Sequence, residues 1–327
     1  MRVATASTRT QFAEIARSRA VALAAAGAVV IGTVATFVPS TGVQLASILE
    51  RVNLGMRKPA SVLAFSSTLS LRQHFATIGY DLDAVRTAGS PVPRIFLARV
   101  PAGLADVKQS ADRKDVFLRV MLPLVLEANE RVQQQRAQLL VMDAKLAAGH
   151  PLSAEQQGRL NGMAAEYGVD ADRIDLLLRR VDAVPPSLAL AQAAIESGWG
   201  TSRFILEGNA VFGQWAWGEE EGLVPLGREI GKTHKIKSFQ LLTDSVRAYL
   251  HNLNTHNAYK EFRERRQMLR AEGKQLAGMT LVPTLGAYSE LKGQYLDMLR
   301  SVITANDLQP LDGARLHDSQ TRPGTDV

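Results

Sequence analysis

A glutamate near the end of a short apolar helix is the side chain of this sequence best suited to acid catalysis. Residues 185–199 read PPSLALAQAAIESGW, and the two prolines followed by Ser187 predict the helix start. Gly198 predicts its end, so Glu196 falls in the last turn, where the helix dipole disfavours negative charge. The indole of Trp199 would desolvate the carboxyl group, and both effects raise its pKa. Such an acid can donate its proton to a leaving oxygen, whereas an ordinary solvated glutamate is the weaker alternative.

A cluster of aromatic and amide side chains surrounds and follows this glutamate. The three tryptophans of the chain all lie between residues 199 and 217. Flat aromatic rings suit the C–H faces of sugars, and amides can hydrogen-bond to hydroxyl and acetamido groups. The pattern therefore predicts a sugar-binding site, although at least one of these aromatic side chains is expected in the hydrophobic core. The candidate binding residues are Gln192, Trp199, Asn209, Phe212, Gln214, Trp215 and Tyr259.

Four separated motifs resemble those of one bacterial family. They are LALAQAAIESGWGTSRF from residue 188, GNAVFGQW from residue 208, HNLNTHNAY from residue 251 and LGAYSELKGQYLDML from residue 285. In this order they are similar to the Bax-like proteins of the glucosaminidase family of peptidoglycan hydrolases, over about residues 93–307. The resemblance implies a mainly helical, lysozyme-like fold and cleavage of β-1,4 glycosidic bonds after N-acetylglucosamine.

The resemblance also implies roles for two residues. The catalytic glutamate of the family's A-x-E-S-G-W-G motif matches Glu196, and the tyrosine of its Tyr-Ala-Thr-like motif matches Tyr288. The second motif reads Tyr288-Ser289-Glu290 here, so it departs from the family pattern after the tyrosine. We expect Glu196 to be the general acid and Tyr288 to be the second catalytic residue.

The sequence leaves the nature of the nucleophile or base open. Glu219, Glu220 and Glu221 follow the aromatic cluster and could supply a base, although three adjacent glutamates more often form a solvated turn. An inverting enzyme needs a base about 6.5–9.5 Å from the acid, whereas attack by the substrate's own acetamido group needs no second carboxylate. We favour substrate assistance aided by Tyr288 over a base from this loop.

Two other functions are compatible with parts of the pattern. A lytic transglycosylase has a similar Glu-Ser motif, but Phe212-Gly213-Gln214-Trp215 departs from the Gly-Leu-Met-Gln pattern of that group. A catalytically silent glycan-binding scaffold at the membrane would not need both Glu196 and Tyr288. An endo-β-N-acetylglucosaminidase acting on peptidoglycan glycan strands is therefore the preferred prediction.

Composition and charge limit the partners of the chain. Its 327 residues are 46% hydrophobic and carry a net charge of +6, which fits peptidoglycan or anionic lipid without requiring either. No basic cluster interleaves with stacking aromatics, so nucleic acid is not expected. There is no cysteine, and His251 and His256 are five apart, off the spacing of a helical zinc pair. Phosphate loops and dinucleotide fingerprints are missing from the sequence, so neither metal nor cofactor is expected.

An uncharged segment near the N-terminus predicts a membrane anchor. Residues 20–38 carry no charge, and a helix of this length spans about 28 Å, close to the hydrocarbon core of a bilayer at about 30 Å. The preceding basic residues are Arg2, Arg9, Arg17 and Arg19. This bias places the N-terminus in the cytoplasm and the catalytic part in the periplasm, anchored to the inner membrane. A cleaved signal peptide that releases a periplasmic enzyme, and a buried soluble helix, are the alternatives.

The predicted architecture has four parts. Residues 1–39 are the cytoplasmic N-terminus and membrane segment, residues 40–92 a juxtamembrane spacer, residues 93–310 the glucosaminidase domain, and residues 311–327 a disordered tail. The domain is expected to be mainly helical, with a small β-hairpin lobe.

Three elements of the domain are predicted from local patterns. The lobe is expected to pair residues 212–217 with residues 236–239. A long helix over residues 112–147 is expected to be interrupted or kinked at Pro123 and buried over residues 116–126. Residues 257–272 are expected to form a basic helix with solvated arginines.

Overall fold

Helices make up most of the computed structural model, which describes residues 62–101, 103–216, 220–225, 233 and 235–318. The α-helices are α1 (Thr68–Thr77), α2 (Leu82–Ala88), α3 (Ser110–Ala147), α4 (Ala154–Tyr167), α5 (Ile174–Arg180), α6 (Pro186–Ser197), α7 (Arg203–Gly208), α8 (Leu242–Thr255), α9 (Lys260–Ala271), α10 (Gly278–Leu281) and α11 (Gly293–Ala305). Short 3₁₀ helices cover Asn257–Tyr259, Val282–Leu285 and Gln309–Gly313. The strands are β1 (Val62–Leu63), β2 (Phe96–Leu97), β3 (Trp215–Ala216), β4 (Gly222–Leu223) and β5 (Lys235–Lys237). The prediction of a mainly helical chain is confirmed.

The long helix α3 lies at the centre of the core and packs against α6 and α8. Every residue from 116 to 126 is buried except the half-buried Arg119, as predicted. Of the two predicted alternatives at Pro123, the interruption is wrong, because α3 continues through this residue, and the kink stays a prediction. A proline inside a helix costs about 3 kcal/mol or more, and the buried apolar contacts on all sides of Pro123 offset this cost.

Helix α6, which carries the candidate acid, is buried along nearly its whole length. All its residues except Ile195 and Glu196 are buried. The predicted capping by the Ser187 side chain is wrong. The backbone N–H and the hydroxyl of Ser187 instead donate to the Asp312 carboxylate at 2.8 and 2.9 Å, where a negative charge also complements the helix dipole. Gly198 ends the helix in the left-handed conformation, as predicted.

The same carboxylate ties α10 to the start of α6. The backbone N–H of Gly278 donates to Asp312 at 2.8 Å. A Cβ atom at Gly278 would clash with Ser187 Oγ and lie 3.0 Å from the backbone nitrogen of Leu188. A glycine is therefore needed at this close approach of two helices.

The fold extends beyond both predicted boundaries of the catalytic domain. Helices α1 and α2 lie within the predicted spacer, yet Leu71, Phe75 and Leu82 are part of the main hydrophobic core. Residues 311–318 of the predicted tail also continue the fold, because Val92 accepts a backbone hydrogen bond from the N–H of His317 at 2.8 Å. The proline-rich run at residues 90–93 is an extended segment that pairs with the C-terminal part of the fold, and it does not act as a linker.

Two of the four arginines of α9, Arg263 and Arg266, are buried, which corrects their prediction as solvated residues. Arg263 is 4% exposed and Arg266 is fully buried. Arg266 stabilises the loop that leads into α6 by donating hydrogen bonds of 3.0–3.1 Å to the backbone oxygens of Arg179, Arg180, Asp182 and Ala183. Burial would raise the pKa of the Asp182 carboxyl, but Arg266 and the 2.8 Å ion pair with Arg270 outweigh burial and lower it.

A small antiparallel sheet forms the predicted lobe. Strand β5 lies between β3 and β4, with Trp215 opposite Ile236. The predicted pairing of residues 212–217 with residues 236–239 is confirmed, and β4 adds a third strand that was not predicted.

Several predicted features fall outside the described residues. They include the membrane segment 20–38, the first part of the spacer, Trp217 and Glu219. Within the described ranges, no helix combines the length and the apolar character needed to cross a membrane. The membrane anchor and the periplasmic location therefore stay predictions.

Replacing Phe75 by alanine tests whether residues 62–92 fold with the catalytic part. The ring is fully buried, so its loss should lower the free energy of unfolding by about 3–5 kcal/mol. Leu69→Ala, on the same helix but 66% exposed, should change it by less than about 0.5 kcal/mol. Urea denaturation followed by tryptophan fluorescence measures both variants. An unchanged transition for Phe75→Ala would show an independent spacer.

Candidate active site

Glu196 lies in the last turn of α6, where its side chain is half-buried. Its Oε1 atom accepts a hydrogen bond of 3.0 Å from the Tyr295 hydroxyl of α11. Burial raises the pKa of the Glu196 carboxyl, and the hydrogen bond from Tyr295 lowers it by less. The net direction is upward, which is the direction expected from the sequence.

A tight left-handed turn follows Glu196. Gly198, Trp199 and Gly200 have φ values of 58°, 59° and 79°. A Cβ atom at Gly200 would lie 2.9 Å from the Phe117 ring, so this position of the turn requires glycine. The half-buried Trp199 ring packs edge-on against Phe117 of α3 at 5.8 Å, and Lys114 Nζ lies 4.7 Å from its centroid. Contacts with α3 thus fix the orientation of Trp199.

Gln192 supports the acid from within the core. It is fully buried, and its amide Nε2 donates to the Tyr295 hydroxyl at 3.1 Å. Its Oε1 accepts from the Tyr249 hydroxyl of α8 at 2.6 Å. The predicted shared face of Gln192 and Glu196 is present, since both contact Tyr295. The proposed sugar contact of Gln192 is wrong, because no part of its side chain reaches solvent.

Two further tyrosines extend this cluster. The Tyr288 ring stacks on Tyr295 with centroids 5.5 Å apart and planes 7° apart, and the centroid of the tilted Tyr259 ring lies 5.8 Å from that of Tyr288. The Tyr288 hydroxyl forms no hydrogen bond with any described residue. Burial raises the pKa of the Tyr288 and Tyr295 phenols, so both stay protonated at neutral pH. The structure therefore brings the two predicted catalytic residues, Glu196 and Tyr288, into contact with the same tyrosine.

Two other predicted sugar-binding residues have internal roles. Asn209 is 2% exposed and donates its amide hydrogens to the backbone oxygens of Phe239 and Gln240. Phe212 is 4% exposed and stacks on Tyr249 at 3.9 Å. The prediction that these side chains contact sugar is wrong, because burial leaves them no free face. Both belong to the core beneath the site.

A groove of about 680 Å³ lies between α3, α8 and the small sheet. Gln214 and the 56% exposed Trp215 line it, although the Gln214 amide also donates to the Ala248 backbone oxygen at 3.2 Å. Asn252 lies at its wall and hydrogen-bonds to Tyr259. Glu196 is not among the lining residues. Asn252 is thus the lining residue that contacts the tyrosine cluster.

The candidate loop carboxylates lie on the surface of the sheet lobe. Glu220 is exposed, lines the groove and forms an ion pair of 2.9 Å with Lys237. Glu221 is also exposed, and Glu219 is outside the described residues.

The two histidines considered for metal binding contact backbone groups. His251 Nε2 lies 2.8 Å from the Glu166 backbone oxygen, and His256 Nδ1 accepts from the Ala258 backbone N–H at 3.2 Å. Across the part of the chain that the structure describes, no three His, Asp or Glu side chains are grouped to hold a metal ion.

Tyr249 and Tyr295 are site residues that the sequence did not single out. A usable signal was present. Gln192 and Glu196 share a helix face and need polar partners if that face is buried, and Tyr295 follows Tyr288 by seven residues in the motif LGAYSELKGQYLDML.

Comparison with known proteins identifies the family. The glucosaminidase family model, described as mannosyl-glycoprotein endo-beta-N-acetylglucosaminidase, matches residues 175–308. The chain is 32% identical over 200 residues to the protein bax of Escherichia coli (strain K12), covering 59% of this chain and 70% of that protein. The chain belongs to the glucosaminidase family. The resemblance of its motifs to this family is thereby confirmed.

The segment matched by the glucosaminidase model contains Glu196 and the tyrosine cluster. Among solved structures, the chain is similar to the catalytic domain of the autolysin Auto from Listeria monocytogenes. That match has a TM-score of 0.32 and 19% identity, and covers 53% of this chain and 96% of that domain. The lysozyme-like architecture stays a prediction.

Glu196→Gln should stabilise this glucosaminidase domain increasingly as the pH rises. Because the pKa of Glu196 is higher in the folded chain than in the unfolded chain, the wild type loses stability as the pH rises through the folded value. Glutamine does not ionise, so the variant does not lose stability in this way as the pH rises. Urea denaturation between pH 4 and pH 8 should show a stability difference, variant minus wild type, that grows with pH. A difference independent of pH would contradict the raised pKa.

Proposed function

We propose that this protein hydrolyses β-1,4 glycosidic bonds after N-acetylglucosamine in peptidoglycan, with Glu196 as the general acid. The observation that carries the proposal is the half-buried Glu196 carboxyl, whose pKa is raised by burial and whose Oε1 is bonded to Tyr295 at 3.0 Å. A raised pKa favours the protonated form that a general acid needs. Membership of the glucosaminidase family supports the substrate class.

The reaction uses Glu196 twice. Its carboxyl proton goes to the glycosidic oxygen as the bond between this oxygen and C1 breaks, and the leaving sugar departs as an alcohol. The Glu196 carboxylate then takes a proton from the water that adds to C1, which restores the acid. The product is a reducing N-acetylglucosamine end.

The positive charge that develops at C1 is met by the substrate's own acetamido oxygen. The exposed Glu220 is engaged by Lys237, which disfavours it as a base. The Tyr288 hydroxyl lies beside Tyr295 and forms no hydrogen bond with any described residue, so it can bind and orient the acetamido group. These observations support substrate assistance with Tyr288 as the second catalytic residue.

The groove beside the sheet accommodates the neighbouring part of the glycan. Its exposed Trp215 ring offers a flat face to a sugar, and Asn252 offers an amide near Tyr259. Trp215 therefore retains its proposed role as a substrate-binding residue, whereas Tyr259 is only 7% exposed and offers a sugar little more surface than Asn209 and Phe212 do.

Glu196→Gln should abolish most of the activity, because glutamine keeps the shape of the side chain but has no acidic proton. Release of muropeptides from purified sacculi should fall by about 10²–10⁴-fold. Glu155→Gln, at an exposed carboxylate on α4, is the matched control and should keep the wild-type rate. Mass spectrometry identifies the products. Retention of more than about a tenth of wild-type turnover in Glu196→Gln would contradict its assignment as the acid. A 1,6-anhydro muramic product would indicate a lytic transglycosylase.

Changing Glu219, Glu220 and Glu221 together to glutamine separates the two mechanisms. Under substrate assistance, cleavage of a defined glycan should slow by less than about tenfold, or roughly 1.4 kcal/mol in the barrier. Tyr288→Phe should cost more, since it removes the hydroxyl but keeps the ring. Single-turnover rates and the anomer of the first product, read by NMR, are the measurements. An α-anomer together with a collapse in the rate of the triple variant would show inversion by a loop carboxylate.

A further inference from the structure

Three hydrogen bonds join Glu196 to the core in series. The Tyr249 hydroxyl contacts Gln192 Oε1 at 2.6 Å, Gln192 Nε2 contacts the Tyr295 hydroxyl at 3.1 Å, and this hydroxyl contacts Glu196 Oε1 at 3.0 Å. Gln192 and Tyr249 are fully buried and Tyr295 is 2% exposed. The series therefore runs from the interior of the protein to the candidate acid.

The two distances at Gln192 determine which way its amide points. A separation of 2.6 Å fits an O–H donor to an oxygen, whereas 3.1 Å fits an N–H donor to an oxygen. Gln192 thus presents its oxygen to Tyr249 and its NH₂ group to Tyr295. Because the Tyr295 oxygen accepts from this NH₂ group, the one hydrogen of the Tyr295 hydroxyl is directed to Glu196.

We infer that Tyr295 is a positioning residue that keeps Glu196 Oε1 as a hydrogen-bond acceptor, so that the catalytic proton resides on Oε2. This inference rests on the proposed function of Glu196 as the general acid. Glu196 Oε2 forms no hydrogen bond with any described residue, so it can face the glycosidic oxygen. Gln192 and Tyr249 act through Tyr295 by fixing the direction of its hydroxyl.

Stacking holds the two tyrosines of the series in place. Tyr295 lies nearly parallel to Tyr288, and Tyr249 lies nearly parallel to Phe212 with centroids 3.9 Å apart. Both hydroxyls therefore have little freedom to turn away from their partners.

The groups that face Glu196 are neutral. They are the phenols of Tyr249 on α8, Tyr259 in the following 3₁₀ helix, Tyr288 in the turn before α11 and Tyr295 on α11. Within the described chain, burial and the Tyr295 hydrogen bond are the influences on the pKa of Glu196, and no cation adds to them. The direction of the Tyr295 hydroxyl is thus the main polar control on this carboxyl group.

Tyr295→Phe tests the inference because it keeps the stacked ring and removes only the hydroxyl. Without this donor the Glu196 carboxylate is less stabilised, so its pKa should rise, and the fall of kcat/KM at high pH should move upward by about one pH unit. At the optimum, kcat should fall by about tenfold or more, while KM should change by less than about threefold. Thermal melting confirms that each variant is folded.

Two further variants test whether the whole series of hydrogen bonds controls the pH profile, or only the contact between Tyr295 and Glu196. Tyr249→Phe leaves Tyr295 in place but lets the Gln192 amide turn, so it should shift the pH profile in the same direction by a smaller amount. Tyr80→Phe is the matched control, because Tyr80 is also a buried tyrosine, but its hydroxyl has no hydrogen-bond partner among the described residues and lies outside the site. Its pH profile should equal that of the wild type. A Tyr249→Phe profile identical to the wild type would overturn the roles of Gln192 and Tyr249.

The pKa of Glu196 can be measured without an activity assay, so the positioning role of Tyr295 can be tested separately from the proposed reaction. Carboxyl ¹³C NMR of labelled glutamate, with Glu196→Gln to assign the signal, gives the pKa of Glu196 in the wild type and in Tyr295→Phe. A higher pKa in the variant supports the positioning role, and an equal pKa overturns it. If the pKa rises but the wild type cleaves no glycan, the contact stands and the proposed reaction fails.

Discussion

The burial of α6 is the constraint on which the rest of this structure depends. A helix surrounded by core on nearly every side must satisfy each polar group with a partner from the protein, because water cannot reach it. The Asp312 carboxylate accepts a hydrogen bond from the Ser187 backbone N–H in the first turn of the helix. The hydroxyls of Tyr249 and Tyr295 form hydrogen bonds with the Gln192 side-chain amide. Close packing sets a second demand, which the glycine at position 278 meets. Glu196 lies in the last turn of α6, and its side chain is only half-buried.

The same burial makes Glu196 useful and costly. Removing water from a carboxyl group disfavours its charged form, which raises the pKa and favours the protonated form. It also makes the ionised state a source of instability in the folded chain. The hydrogen bond from Tyr295 reduces this cost without supplying a full positive charge. A lysine or arginine in its place would lower the pKa of Glu196 and weaken it as an acid.

Local sequence signals predicted the parts of the site that depend on neighbouring residues. The prolines and Gly198 located the ends of α6, and the spacing of four placed Gln192 and Glu196 on one face. The features that could not be predicted depend on contacts between residues that are far apart in the sequence. Asp312 lies 125 residues from Ser187, and Tyr295 lies 99 residues from Glu196.

Burial was the second property that local patterns could not supply. Amides and aromatics have the same chemistry in a sugar site and in a core, so Gln192, Asn209 and Phe212 were predicted as ligand contacts. The arginines of α9 were predicted as solvated for a related reason. A basic run is normally exposed, but here four backbone oxygens at the end of α5 and in the loop before α6 accept hydrogen bonds from the buried Arg266 guanidinium. The proline-rich run at residues 90–93 resembled a linker only because its partner lies more than 200 residues away.

The C-terminal part of the fold connects these observations. Gly278 and Asp312 contact the first turn of α6, whereas Tyr295, between them in sequence, contacts Gln192 and Glu196 near its end. One segment of about 35 residues therefore holds both ends of the helix that carries the acid. Because Tyr295 is placed by α11, and the 3₁₀ helix that follows α11 carries Asp312, a shift of this segment would disturb the helix start and the acid together. Stability and chemistry in this protein thus depend on the same set of long-range contacts.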